Sequence, residues 1–268
     1  DGDAEGVDHH GPSDEKVYDG TALTKNAYTN TALATGDHIE SVVVTGSQAV
    51  GAAGRRVGNE SLATSTARGA PTANYDITYV NGTLTVTQKA ITITADNKTK
   101  VYDNNATTDP ALTATLSGIP ANGVNPNYSL TRVAGQDVGT YAITVELGQN
   151  PNYNVTTVPG TFTISAISSP ITITAASQYK KYDGTALTNN GYSYTEGVLI
   201  AGDMLTATVE GTVTDVDTVV NKVISWQVKR GATDVTANYT FATPVDGKLG
   251  VYKRNVTLTS ASESKTYD

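Results

Sequence analysis

Apolar and polar residues alternate over short stretches that recur along the chain: Ile91-Thr92-Ile93-Thr94, Ile171-Thr172-Ile173-Thr174 and Val256-Thr257-Leu258-Thr259. A period of two sends successive side chains to opposite faces of a strand, so Ile91, Ile93, Ile171 and Ile173 face a core and their threonines face water. Leu84 and Val86 follow the same rule. Eleven positions after each stretch begins comes Tyr-Asp, at Tyr102, Tyr182 and Tyr267, and Tyr18-Asp19-Gly20 belongs to the same set. In this triplet Asp bonds nearby backbone and Gly takes a positive φ, which ends the strand in a turn. Asn81-Gly82, Pro159-Gly160 and Asp246-Gly247 sit between alternating stretches and read as hairpin turns, predicting a closing hairpin in each segment. The pattern predicts mostly antiparallel pieces of about six short strands, with one short helix over 111–116 in the middle piece.

The spacing makes these pieces a repeat. The Tyr-Asp pairs at 18, 102, 182 and 267 stand 84, 80 and 85 residues apart. Asn-Tyr recurs at Tyr75, Tyr153 and Tyr239, and it is followed by Gly82-Thr83-Leu84-Thr85-Val86, Gly160-Thr161-Phe162-Thr163-Ile164 and Gly247-Lys248-Leu249-Gly250-Val251. The first and third pieces share Gly36-Asp37 and Gly202-Asp203, strand-like runs over 39–44 and 205–209, and Arg68-Gly69-Ala70 and Arg230-Gly231-Ala232. The middle piece instead carries Asp109-Pro110-Ala111-Leu112-Thr113 and Val138-Gly139-Thr140-Tyr141. Two subtypes therefore alternate. The organisation expected is an atypical or poorly ordered segment 1–15 (a cap, a degenerate strand or added sequence), repeat one at 16–89, repeat two at 90–169, repeat three at 170–253, and the first strand of a fourth at 254–268.

Tyr-Asp-Gly-Thr-Ala-Leu-Thr after Ile-Thr-Ile-Thr, and Val-Gly-Thr-Tyr-Ala-Ile-Thr before Asn-Tyr and Gly-Thr-Phe-Thr-Ile, resemble the YDG and MBG repeats of large bacterial surface proteins. The likeness covers the chain from about Lys16 onward, with repeats one and three similar to the YDG type and repeat two to the MBG type. It implies small tandem β modules of a secreted adhesin, without enzymatic activity. The fold expected is mainly β, a tandem array of small antiparallel modules, sandwich-like or β-grasp-like with one short helix per unit (the alternative being α+β), elongated overall. Short joints such as Thr87-Gln88-Lys89 and Ile167-Ser168-Ser169-Pro170 leave neighbouring repeats at a restricted angle.

Composition then narrows the chemistry. Among 268 residues there is no cysteine, which excludes a disulfide framework, a thiolate metal site and a cysteine nucleophile. The balance of 18 Lys+Arg against 26 Asp+Glu gives a net charge of −8, a poor match to nucleic acid or an anionic membrane. No apolar run is long enough to span a bilayer. Threonine supplies 44 residues, the outward half of alternating strands, and the 15 tyrosines offer large rings for small cores.

Only His9, His10 and His38 could act as imidazole bases, and unit three has Met204 where His38 stands in unit one. With no base held beside a nucleophile the reading is non-enzymatic, with no catalytic, cofactor-binding or metal-ligating residue assigned. Calcium keeps a weaker claim through the carboxylate pairs Asp1/Asp3 and Asp215/Asp217, neither of which fits a twelve-residue calcium loop. Trp226 alternates in phase with Ile224 and Val228, so all three are expected to face the core. The function expected is a structural stalk or spacer of an extracellular bacterial surface adhesin, attached through regions outside 1–268. The alternative is a module that binds host glycan or protein through its loops or joints. The partners expected are the neighbouring repeats, with the chain a monomer.

Overall fold

The structure, a computed structural model, describes residues 5–10, 13–25, 27–31, 35, 38–45, 47–48, 61–68, 75–80, 82–195 and 199–267. Among the described residues strands prevail, and the helical turns are two short ones, Ala106–Thr108 and Thr236–Asn238, which makes the chain mainly β. It divides into two compact units. The first comprises Asp1–Lys98, Ala111–Val133 and Tyr141–Phe162; the second comprises Thr99–Pro110, Ala134–Thr140 and Thr163–Asp268.

In the first unit the strand Lys89–Ala95 lies at the centre of a three-stranded sheet. On one side it pairs antiparallel with Ala114–Ser117, from Thr92↔Ser117 to Ala95↔Ala114. On the other it pairs parallel with Tyr153–Val158, from Lys89↔Tyr153 to Thr94↔Val158. Period two is obeyed: Ile91, Ile93 and Ala95 are buried, while the threonines between them are half-buried. Glu5–His10 repeats the arrangement, antiparallel to Thr29–Asn30 and parallel to Tyr75–Val80. Among the readings offered for residues 1–15, a strand without the usual Ile-Thr pattern is what the described residues form.

The second unit holds the same plan. Ile173–Ala175 pairs antiparallel with Tyr192–Tyr194, and Ile167–Ile171 pairs parallel with Tyr239–Phe241. A larger sheet runs in the order Gln178–Lys181, Gly247–Tyr252, Thr218–Arg230, Asp203–Glu210. Its core includes Leu187, Val213, Leu249 and Val251.

Three expectations are corrected. The closing hairpin is absent: Tyr239–Phe241 and Gly247–Tyr252 enter different sheets, each parallel to an opening strand. The glycine that opens the second strand serves close approach rather than a tight turn. A Cβ on Gly247 would stand 2.3 Å from the Ala176 carbonyl oxygen, and one on Gly160 would stand 2.5 Å from that of Ala95. The helix over 111–116 is a strand instead, Ala114–Ser117. Its alternating Ala-Thr-Leu-Ser sets Leu116 opposite the buried Ile93.

The third correction concerns the face of Ile224. A β-bulge between the pairs Thr208↔Ser225 and Val209↔Val223 leaves Ile224 without a partner and reverses the alternation behind it. Val228 and Val223 are both buried, Trp226 is half-buried, and Ile224 is 49% exposed.

Candidate functional site at the repeat joints

Each Tyr-Asp turn is built on a lysine three residues before the aspartate. Lys16, Lys100 and Lys180 place Nζ 2.8, 2.7 and 2.8 Å from Oδ1 of Asp19, Asp103 and Asp183. In the first and third repeats the same ammonium donates to a threonine carbonyl, that of Thr21 or Thr185, at 2.7 Å in both. The Thr21 and Thr185 amides donate back to the aspartates at 2.9 and 3.0 Å. The lysine bond first, then the threonine amide and hydroxyl, hold Asp19 and Asp183 far below the ordinary carboxylate range. The aspartates are thus turn residues. Gly20 and Gly184 take φ of +83° and +80°, as the turn requires.

The middle turn reads Tyr102-Asp103-Asn104, and Asn104 adopts the left-handed conformation at φ 52° in place of glycine. Its lysine is the most enclosed of the three. Lys100 also contacts Asp109 at 2.9 Å and donates to Gln136 Oε1 at 2.9 Å. Burial opposes its charge, but Asp103 and Asp109 outweigh that and raise its pKa.

The tyrosines of these turns meet the Asn-Tyr tyrosines of the following repeat. Within the first unit, Tyr18 stands edge-on to Tyr153, with ring centroids 5.4 Å apart at 89°. Ile91 joins them in one buried cluster flanked by Val86, Ile119 and Val155. Tyr153 donates its hydroxyl to the Val124 carbonyl at 2.5 Å, and the Val124 amide donates to the Tyr18 hydroxyl at 3.2 Å. A Cβ on Gly20 would lie 2.0 Å from the Asn122 carbonyl oxygen, so only glycine admits this loop.

Within the second unit, Tyr102 stands edge-on to Tyr239, 5.7 Å away at 78°. Both hydroxyls donate to Oδ2 of Asp203, at 2.9 and 2.6 Å, and the Ile200 amide donates to the Tyr239 oxygen at 3.0 Å. The Asp203 side chain has no exposed surface, and Arg230 Nε reaches its Oδ1 at 2.9 Å. Arg230 also donates to Asn104 Oδ1 at 2.7 Å and lies over the Tyr102 ring, 5.6 Å from its centroid. Asn238 completes the contact: it accepts from the Val138 amide at 2.7 Å and donates to Asp137 at 2.8 Å. Burial first, then the bond to Asp203, pushes the Tyr239 hydroxyl well above its ordinary value.

Tyrosine therefore packs at joints as well as in cores. Tyr153 and Tyr239 are buried at 4 and 5% exposure against the preceding repeat, while the Tyr75 side chain lies outside the described residues. Two signals for these joints stand in the sequence, the second of them read above only as a mark of subtype. One is Lys-x-Tyr-Asp, present at Lys16, Lys100, Lys180 and Lys265. The other is the joint presence of Gly-Asp and Arg-Gly-Ala in repeats one and three, whose third-repeat members face each other as Asp203↔Arg230.

The residues weighed for chemistry are not brought together. His10 is exposed, and the His9 and His38 side chains, like Asp1 and Asp3, lie outside the described residues. Asp215 and Asp217 are exposed, and Asp217 accepts the Thr218 amide at 2.7 Å. Among the described residues no group of three or more His, Asp or Glu side chains converges. Trp226 lies 5.6 Å from Phe241 and lines a recess of about 440 Å³ with Gln227, Asp234 and Thr236. The polar groups there are engaged with one another: Gln227 and the Thr236 hydroxyl both donate to Asp234, at 2.7 and 2.6 Å. No helix of the described chain is long and apolar enough to cross a membrane.

No curated protein matches the chain. Residues 91–163, the second repeat from its opening strand to the strand that follows Asn-Tyr, match the family described as the MBG domain (YGX type).

Proposed function

We propose that the chain is a non-enzymatic stalk or spacer segment of a secreted bacterial cell-surface adhesin, whose repeats hold a distal binding region away from the cell. The MBG match supports a surface-protein module of a non-catalytic repeat type. The observation that carries the reading is the tyrosine joint, in which the Tyr-Asp tyrosine of one repeat packs on the Asn-Tyr tyrosine of the next, at Tyr18/Tyr153 and again at Tyr102/Tyr239. A segment selected for reach needs such joints, because free linkers let an array collapse on itself. A single intervening residue separates the strands at each joint, Gln88 between Leu84–Thr87 and Lys89–Ala95, and Ala166 between Gly160–Ser165 and Ile167–Ile171. Small-angle X-ray scattering tests the proposal. Three modules in line give a radius of gyration of roughly 30 Å, whereas a compact chain of this length gives about 18 Å. The larger value is expected, and the smaller would overturn the spacer reading.

A further inference from the structure

The third repeat carries the same joint surface as the first, and that surface is open. Tyr18 to Thr24 and Tyr182 to Thr188 have the identical sequence Tyr-Asp-Gly-Thr-Ala-Leu-Thr. Their turns are built alike, with the lysine–aspartate contact at 2.8 Å in both and the glycine φ at +83° and +80°. In the first repeat this surface is covered: Tyr18 is 2% exposed, beneath Tyr153 and the loop holding Asn122 and Val124. In the third, Tyr182 is 39% exposed and a Cβ on Gly184 would meet nothing within 4 Å. Beside them is a recess of about 450 Å³ lined by Tyr182, Asp183, Gly184, Val216 and Val256, with Val216 itself 46% exposed.

We propose that this face of the third repeat is a docking site for a module of the second-repeat type. That module inserts a loop equivalent to 119–124 against Gly184 and sets its Asn-Tyr tyrosine edge-on against Tyr182. The first repeat shows which partner its turn receives, and the alternation of subtypes puts the same partner after the third. The chain beyond the third repeat agrees. Val256 and Leu258, which match the buried Ile91 and Ile93 in the repeat, are 77 and 92% exposed, and Lys265 stands two residues before Tyr267 as Lys100 does before Tyr102. The inference rests on the array reading and adds a rule for which module follows which.

The test extends the chain past Asp268 with a second copy of residues 104–169, completing a second-type module on residues 254–268. Tetranitromethane nitration, read by mass spectrometry on the Tyr182 peptide, reports the docking. In the unextended chain Tyr182 is nitrated readily; in the extended chain its rate falls to that of Tyr18 in the same molecule. Tyr153→Ala in the appended copy restores reactivity, and so does Gly184→Asn, which keeps the left-handed turn as Asn104 does but fills the space Asn122 needs. Unchanged Tyr182 reactivity while the appended strands resist amide exchange overturns the proposal. Failure of the appended strands to resist exchange does so as well, since a docked module folds as the second repeat does. Loss of protection at Tyr182 with an extended scattering profile strikes this docking rule alone; a compact profile strikes the array reading beneath it.

Discussion

Asp203 is a carboxylate withdrawn from water, and such a group is held only by partners that replace its hydration. Three partners do so through four hydrogen bonds: two tyrosine hydroxyls on Oδ2 and the Arg230 guanidinium on both oxygens. Asp203→Asn keeps the volume but removes the charge that Arg230 and the hydroxyls address. It is expected to lower stability by roughly 2–4 kcal/mol, read as faster amide exchange over Thr218–Arg230 in the third repeat. Alkali probes the same cluster. The folded Tyr239 hydroxyl has a pKa above its ordinary 10.0, so the neutral form is favoured in the folded chain. That stabilisation is complete below about pH 10 and is lost as the pH rises beyond it, through the raised folded value. Denaturant midpoints should therefore fall above pH 10, and by less in Tyr239→Phe, which has no proton to lose there.

Between strands, what could be read from the sequence and what could not divide along a physical line. Burial of Ile91, Ile93, Ile171 and Ile173 was legible because period two fixes faces whatever the partner strand. The direction of pairing was not, because a parallel and an antiparallel neighbour leave the same alternation. Gly160 and Gly247 accordingly read as hairpin turns although they mark close backbone approach. The bulge at Ile224 was equally hidden, since an unpaired residue shifts the phase without altering the composition. It gives a sharp contrast in stability. Val228→Ala, at a fully buried position, should cost roughly 1.5–3 kcal/mol, whereas Ile224→Thr should stay within about 0.5 kcal/mol in denaturant titrations. The joints needed contacts across 101 residues, from Tyr102 to Asp203, which no local pattern encodes. Gly250, which replaces the threonine of the other repeats, is explained by a similar long-range contact: its Cβ would stand 2.5 Å from the Tyr179 ring.

At the scale of the whole molecule, the composition acquires a structural meaning. With no disulfide available, the repeats are joined by edge-on tyrosines and, in the second unit, by a buried aspartate, an arginine and an asparagine. The central claim is that these contacts fix one repeat on the next. The absence of cysteine makes it directly measurable, because two introduced thiols are the only sites a spin label can take. Labels at Thr140→Cys and Thr214→Cys, both exposed positions, report across the Tyr102/Tyr239 joint by pulsed electron spin resonance. The account predicts one narrow distance distribution that broadens when Tyr102→Ala and Asp203→Ala remove the contact. A broad distribution in the otherwise unaltered chain, or a narrow one that survives both substitutions, would contradict it.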